Sequence, residues 1–211
     1  MRKAWVEYAE SVGRLFPNVP TLLEPPPHSF ASFNALNGGV FSDGQRVVTG
    51  MPFTHSAAII RIHGMTVVWG ADLTVDMQAW EKLSSEDYII FTPVPGVFTP
   101  EQLDVAFCNA FRKYGGEGYG IREVPYFLWS GFCSQALRID TRRWHNCFPG
   151  KVICSQLQWY HAWELAQFRG EMFNALNLYR PSSIHSGYFF EMMVKMVNMK
   201  LFYVSSKKWS F

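Results

Sequence analysis

The longest stretch of regularly spaced apolar residues follows Cys154. One face repeats at intervals of three to five residues, through Leu157, Tyr160, Leu165 and Phe168. The opposite face is also apolar, through Trp159, Ala162, Trp163 and Ala166. A helix that is apolar on almost all sides is buried in the core. The pattern therefore predicts a buried helix over about residues 155–169, with Cys154 at its first turn.

A second helix is predicted from its start and stop signals. Thr99 supplies a cap, Pro100 suits the first helical position, and Gln102 completes a capping box. An apolar face follows, formed by Leu103, Phe107, Ala110, Phe111 and Tyr114. Two glycines at positions 115 and 116 end the pattern. The prediction is a helix from residue 100 to about residue 114.

Strands are predicted for shorter apolar runs. His63 and Gly64 form a tight turn between residues 56–62 and 65–70, which predicts a hairpin. Further strands are predicted at residues 46–49 and 88–92, and a short helical turn at residues 76–83. Residues 119–149 look irregular, with helical fragments that the pattern does not place. Residues 188–204 fit a helix, a strand or both.

The chain is expected to form one main domain with an extension at each end. Residues 1–16 show an amphipathic pattern, and prolines then interrupt regular structure. We therefore assign residues 1–36 to an N-terminal arm, residues 37–185 to the main domain and residues 186–211 to a C-terminal extension.

Composition limits the function classes. The 211 residues are 48% hydrophobic and 17% charged, which is enough apolar material for a sizeable core. The net charge of +2, without a basic stripe, gives no support for nucleic-acid binding. Charged residues interrupt the apolar tail at residues 188–204, so no transmembrane segment is expected. No signal peptide is visible, and the localisation stays open between cytoplasmic and virion-associated.

The four cysteines do not follow a metal-binding pattern. They lie at positions 108, 133, 147 and 154, without the paired spacing of zinc sites. We expect reduced thiols and no metal or organic cofactor.

Cys154 is the candidate nucleophile, because the start of a helix favours the thiolate. The alternative is a small, inert residue packed in the core. A nucleophile also needs a base nearby. Among six histidines, His55 begins a predicted strand, where its ring would be fixed beside a helix start. The alternative for His55 is a structural, hydrogen-bonded histidine.

Five short motifs occur in an order that resembles the permuted NlpC-like cysteine hydrolases, which have a papain-like fold and include the lecithin:retinol acyltransferase group. They are Thr54-His55-Ser56-Ala57-Ala58-Ile59, Val67-Val68-Trp69-Gly70-Ala71-Asp72, the helix after Thr99, Tyr119-Gly120 and Cys154-Ser155-Gln156-Leu157. The match covers roughly residues 38–170. It implies an α+β fold, with an antiparallel sheet packed on a central helix that starts at the nucleophilic cysteine.

The resemblance also implies roles for individual residues. Cys154 would attack a carbonyl and His55 would be the base, while the Cys154 N–H and the Tyr119 hydroxyl would stabilise the oxyanion. The family usually has Glu where this chain has Gly70. Asp72 lies two residues further on the same strand face and is the expected orienting residue, with Asp76 a weaker substitute.

The implied activity is hydrolysis of an amide or ester bond in a peptide, peptidoglycan or acyl substrate. The alternative is a catalytically weak or inactive component that retains the fold. Large aromatic residues in both terminal extensions favour other protein subunits as partners, for example in a virus particle; they include Trp5, Tyr8, Phe16, Trp209 and Phe211.

Overall fold

The computed structural model describes residues 25–34, 39–49, 53–71, 75–80, 87–118, 120, 122, 124–144 and 152–204. The strands are β1 Ser29–Asn34, β2 His55–Ile62, β3 Met65–Ala71, β4 Val75–Ala79, β5 Asp87–Pro93 and β6 Met199–Val204. The α-helices are α1 Gly39–Thr49, α2 Pro100–Tyr114, α3 Val124–Ala136, α4 Cys154–Ala166, α5 Phe173–Leu176 and α6 Ser186–Lys195. Short 3-10 turns cover Gly170–Met172 and Pro181–Ser183. The chain is thus a mixed α+β protein.

The six strands form one antiparallel sheet in the order β4-β3-β2-β1-β5-β6. Helix α4 packs against β2 and β3, and α2 packs against α4. The core between sheet and helices contains Phe30, Trp69, Phe107, Leu157 and Phe189. This packing places the start of α4 near the start of β2, which is the arrangement that matters for the candidate site.

Strand β1 corrects the assignment of its residues to the N-terminal arm. Ser29–Asn34 pairs with β2 on one side and with β5 on the other, and all six residues are buried. Serines at positions 29 and 32 interrupt the apolar pattern, and prolines precede it, so the sequence offered little local sign of a strand. Residues 29–34 belong to the sheet; the division of the chain into three parts stays a prediction.

The elements with strong local signals are confirmed. Helix α2 has the capping box, in which the Gln102 N–H donates to Thr99 Oγ1 at 3.3 Å and the Thr99 N–H donates to Gln102 Oε1 at 3.1 Å. The β2–β3 turn has positive φ angles of 49° at His63 and 80° at Gly64, as a tight hairpin requires. Strand β5 is also present as predicted.

Two local predictions are wrong. Residues 46–49 end helix α1 instead of forming a strand, and residues 75–79 form strand β4 instead of a helical turn. Strand β4 exists because β3 pairs with it, which sequence periodicity does not show. Helix α3 lies in the segment where helical fragments were expected but could not be placed. Residues 186–204 form a helix followed by a strand, which is one of the predicted alternatives. Within the described ranges, no helix has the length and apolar character needed to cross a membrane.

Candidate active site

Cys154 is the first residue of α4. The residue before it, Ile153, has extended backbone, and its N–H donates to Gln156 Oε1 at 3.0 Å. The first turn of a helix leaves backbone N–H groups without intrahelical partners. The Cys154 side chain therefore lies at the positive end of the helix dipole, although it is only 3% exposed.

A second helix begins beside the same thiol. Ser186, the first residue of α6, has its Oγ 3.7 Å from Cys154 Sγ. The two helix starts are joined where Ser155 Oγ donates to the Ile184 carbonyl at 2.7 Å. His185 caps α6 by accepting the Tyr188 N–H on Nδ1 at 3.3 Å. The starts of two helices thus lie beside Cys154. Ser186 was not predicted from the sequence.

His55 lies beside the thiol from the opposite side. It is the first residue of β2, and its ring is 6.0 Å from that of Phe33, centroid to centroid. The His55 side chain hydrogen-bonds to Cys154, and the Ser56 backbone N–H donates to the same sulfur. The structure therefore brings together the two residues that the sequence singled out as nucleophile and base. His55 is partly exposed, whereas Cys154 is buried.

The electrostatic balance at Cys154 favours the thiolate. Burial by itself raises the pKa of the Cys154 thiol. The charge of His55 and the hydrogen bonds from His55, the Ser56 N–H and Ser186 act in the opposite direction and together hold that pKa below its ordinary value. The helix dipole has the same sign. A buried thiol with a lowered pKa needs such specific partners, since apolar surroundings alone would keep it protonated.

Gly70 makes room for the imidazole. A Cβ built at this position would lie 3.2 Å from His55 Nε2 and 3.6 Å from His55 Cε1. Gly70 pairs with Ala57 on β2, which lies on the same face as His55. The position where the resemblance leads one to expect Glu is therefore a contact surface for the histidine ring. The ring edge that carries Nε2 faces this position, which leaves Nδ1 as the nitrogen proposed to serve the thiol.

The other predicted residues have different outcomes. Asp72 and Tyr119 lie outside the described residues. Asp76 is an exposed residue of β4 and pairs directly with Gly70. Directly opposed residues of an antiparallel pair share a face, so Asp76 is one strand away from the edge of the His55 ring that carries Nε2.

Two further histidines are buried in ways that make them poor bases. Burial lowers the pKa of His161 to about 3, with a smaller contribution from the charge of His28. Its ring lies among those of Phe30, Trp69 and Phe107. Burial also lowers the pKa of His185 to about 3. Both imidazoles are therefore neutral near pH 7 and belong to the core.

No metal centre is found in the described part of the chain, where no group of three or more His, Cys, Asp or Glu side chains has a suitable arrangement. The groups gathered at this site are the Cys154 thiol, the His55 imidazole, the Ser186 hydroxyl and the Ser56 backbone N–H. This set is suited to proton transfer and nucleophilic attack.

Comparison with known proteins gives little further information. No protein-family model matches the chain, and no curated protein matches it. Among solved structures, it resembles the metalloprotein yiiX from Escherichia coli O157:H7 (DUF1105), with 13% sequence identity and a TM-score of 0.48. The similarity covers 86% of this chain and 98% of that one. It is too weak to establish a shared fold or activity.

Proposed function

We propose that this protein is a cysteine hydrolase that cleaves an amide or ester bond, with Cys154 as nucleophile and His55 as base. The observation that carries the proposal is the convergence of the His55 side chain, the Ser56 N–H and the Ser186 hydroxyl on one buried thiol at a helix start. Together these groups lower the pKa of the Cys154 thiol. Core packing alone does not require that these donors converge on one sulfur. Perturbed groups with specific partners are concentrated at functional sites.

The proposed reaction has two stages. His55 takes the proton of the Cys154 thiol, and the thiolate attacks the substrate carbonyl to form a tetrahedral oxyanion. When this collapses, the bond to the leaving group breaks, and His55 gives its proton to the departing amine or alcohol. Water, deprotonated by His55, then attacks the thioester. The acid product leaves, and the thiol recovers its proton.

The oxyanion is proposed to lie over the first turn of α4. The backbone N–H of Cys154 is the first donor, because N–H groups at a helix start point away from the helix body. The Tyr119 hydroxyl is proposed as the second donor. Removing a single oxyanion donor typically costs ~10²–10³ in kcat, so a Tyr119→Phe variant measures this contribution.

The third member of the triad is proposed to be a carboxylate that accepts the His55 Nε2–H. Asp72 comes directly after β3 in the sequence, whereas Asp76 is paired with Gly70 across β3 and β4. An orienting carboxylate fixes the tautomer in which Nδ1 accepts the thiol proton. Gly70 favours either arrangement because its position carries no side chain between the ring and the acid.

The papain-like, permuted NlpC-like fold is part of the proposal. It is supported by the antiparallel sheet, by the packing of α4 on β2 and β3, and by a histidine strand that precedes the cysteine helix. Triads are defined by positions in space, so a reversed chain order is compatible with the same chemistry. The proposed substrates are peptides, including peptidoglycan peptides, and acyl compounds.

A second proposal is that the chain is a catalytically weak component of a larger assembly that keeps the hydrolase fold. Two observations favour it: the thiol is only 3% exposed, and Gly70 replaces the carboxylate that the resemblance leads one to expect. A substrate carbonyl must reach Cys154 Sγ, so access to the thiol separates the two proposals.

An acyl-trapping experiment tests the first proposal. The full chain is incubated with p-nitrophenyl acetate and quenched in acid, and the cysteine peptides are analysed by mass spectrometry. An active site gives an acetyl thioester on Cys154 that hydrolyses with time and is absent from His55→Ala. Exposed Cys108 is the internal control. If Cys154 stays unmodified while Cys108 reacts, the hydrolase proposal is wrong and the structural one gains.

A further inference from the structure

A concave site away from Cys154 lies between the end of α3 and helix α6. Its volume is about 520 Å³, and its lining includes Ser134, Arg138, Asp140, Arg142, Tyr188 and Glu191. Neither Cys154 nor His55 lines it. Cavities of this size accommodate small organic ligands. The lining is mostly polar. Among the described residues, some of its charged side chains are hydrogen-bonded to neighbours, and one is not.

Two hydroxyl groups of the lining, those of Ser134 and Tyr188, are held by a third on the fully buried Thr141. Tyr188 Oη lies 2.8 Å from Thr141 Oγ1 and donates to Ser134 Oγ at 3.0 Å. The Tyr188 ring is stacked on His185, with centroids 4.0 Å apart. The hydroxyls are therefore held in place before any ligand arrives, which lowers the entropic cost of binding.

Most charged groups of the site are already paired. Arg142 donates to both carboxylate oxygens of Asp140, at 2.8 Å and 2.7 Å. Glu191 accepts a hydrogen bond from the Tyr179 hydroxyl at 3.1 Å. Arg138 differs, because it is exposed and forms no hydrogen bond or ion pair with any described residue. With respect to these residues, its guanidinium is available to an anionic group.

The backbone of Arg138 is in a conformation that favours glycine. Its φ is 55°, in the turn that follows α3, where the Ile139 N–H returns to the Cys133 carbonyl at 3.2 Å. Glycine is the usual residue in this left-handed conformation at a helix end, because a Cβ there is unfavourable. Arg138 keeps this left-handed backbone and places its side chain at a polar cavity. The combination indicates a role in binding rather than in folding.

We infer that this site binds a small dipolar molecule of dipeptide size, with its carboxylate on Arg138 and its ammonium on Glu191. The Ser134 and Tyr188 hydroxyls take the polar groups between these ends. A planar guanidinium donates two parallel hydrogen bonds to a carboxylate, which gives geometric selectivity. The site lies outside the proposed catalytic centre, and the inference does not depend on hydrolysis.

Glu191 supports the assignment of the ammonium end. Burial raises the pKa of Glu191, opposed by its hydrogen bond from Tyr179 and by the charges of Lys195 and Arg142. The charge of Asp140 acts in the same direction as burial, and Glu191 is half-buried in the lining of the site. A ligand ammonium beside the carboxylate would favour its charged form.

The experiment uses isothermal titration calorimetry on the full chain carrying Cys154→Ala, so that binding is measured without turnover. The probes are L-alanyl-L-alanine, its N-acetyl form and its C-terminal amide. The dipeptide is expected to bind saturably. Each blocked form is expected to bind about tenfold or more weakly, equivalent to ~1.4 kcal/mol. No saturable binding of the dipeptide, or equal binding of all three probes, overturns the inference.

Arg138→Gly separates ligand binding from folding. Because glycine suits a φ of 55°, this variant is expected to unfold at the same or a higher temperature and yet to lose dipeptide binding. Arg112→Ala removes the same charge from an exposed position on α2 and is expected to bind as the parent does. If Arg138→Gly binds as tightly as the parent, the carboxylate assignment is wrong. Glu191→Gln is expected to abolish the preference for the free ammonium over the N-acetyl form.

Discussion

At the scale of single residues, the site depends on the absence of a side chain at Gly70. A Cβ at this position would lie 3.2 Å from His55 Nε2, which is closer than side chains usually pack. The glycine therefore leaves room for the edge of the imidazole that carries Nε2. Sequence analysis noted Gly70 as a departure from the expected glutamate. It did not recognise the contact, because a glycine in a strand gives no local signal of the side chain lying over it.

Gly70→Ala is expected to impair catalysis more than folding. The new Cβ would lie 3.2 Å from His55 Nε2, so the ring must shift. A small displacement of a catalytic group costs roughly ten- to a hundredfold in rate. Gly44→Ala is the control, since a Cβ there meets no atom within 4 Å. The measurement is esterase turnover beside thermal unfolding; unchanged turnover in Gly70→Ala would show that the contact does not position the ring.

Asp72→Asn and Asp76→Asn identify the orienting carboxylate. At the position that accepts the Nε2–H, the asparagine amide can instead donate a hydrogen bond to Nε2, which stabilises the other imidazole tautomer. The substitution at that position is therefore expected to lower kcat on the order of a hundredfold or more. The other substitution should leave kcat almost unchanged. The pH profile distinguishes orientation from folding, because loss of the carboxylate lowers the pKa of the base. If neither variant changes kcat, His55 works without a carboxylate partner.

At the scale of elements, the starts of α4 and α6 form one unit around the thiol. Ser155 ties α4 to the chain before α6, and Ser186 brings the hydroxyl at the start of α6 to Cys154. Both helices direct their positive ends toward the same sulfur. This arrangement stabilises a thiolate even where burial opposes it.

Ser186→Ala is expected to slow alkylation of Cys154 by about threefold at neutral pH, since a net hydrogen bond contributes on the order of 0.5–1.5 kcal/mol. Ser182→Ala is the control, because the Ser182 hydroxyl donates to the Trp144 carbonyl away from the thiol. Iodoacetamide kinetics followed by mass spectrometry provide the rates. A rate in Ser186→Ala equal to that of the parent would mean that the hydroxyl does not support the thiolate.

The sequence predicted those elements that carry their own signals. Helix α2 has its capping box, α4 its apolar faces, and the β2–β3 hairpin its turn, so each was found. Strand β1 depends on pairing with β2 and β5, which lie far along the chain, and β4 depends on pairing with β3, so neither shows in the local pattern. Helix α1 was also missed, because only its end, residues 46–49, was assigned, and as a strand. The proximity of Cys154 and His55 was expected from motif order. The contribution of Ser186 was not, because residues 32 apart are brought together only by packing.

At the scale of the whole molecule, helix α6 links two sites. Its first residue, Ser186, contacts the thiol, while Tyr188 and Glu191 line the concave site away from Cys154. A ligand held by Arg138 and Glu191 therefore binds to the same helix that supports Cys154. The aromatic residues proposed to contact other subunits, Trp5, Tyr8, Phe16, Trp209 and Phe211, lie outside the described residues.

The pH dependence of Cys154 alkylation tests the central claim, an activated Cys154–His55 pair, most directly. The folded-state pKa of this thiol is below its ordinary value, so the thiolate should persist as the pH falls through the range where ordinary thiols protonate. The predicted result is a rate profile whose inflection lies at lower pH than that of exposed Cys108 and moves upward in His55→Ala. Coincident profiles for Cys154 and Cys108, or a Cys154 profile unchanged by His55→Ala, would contradict it.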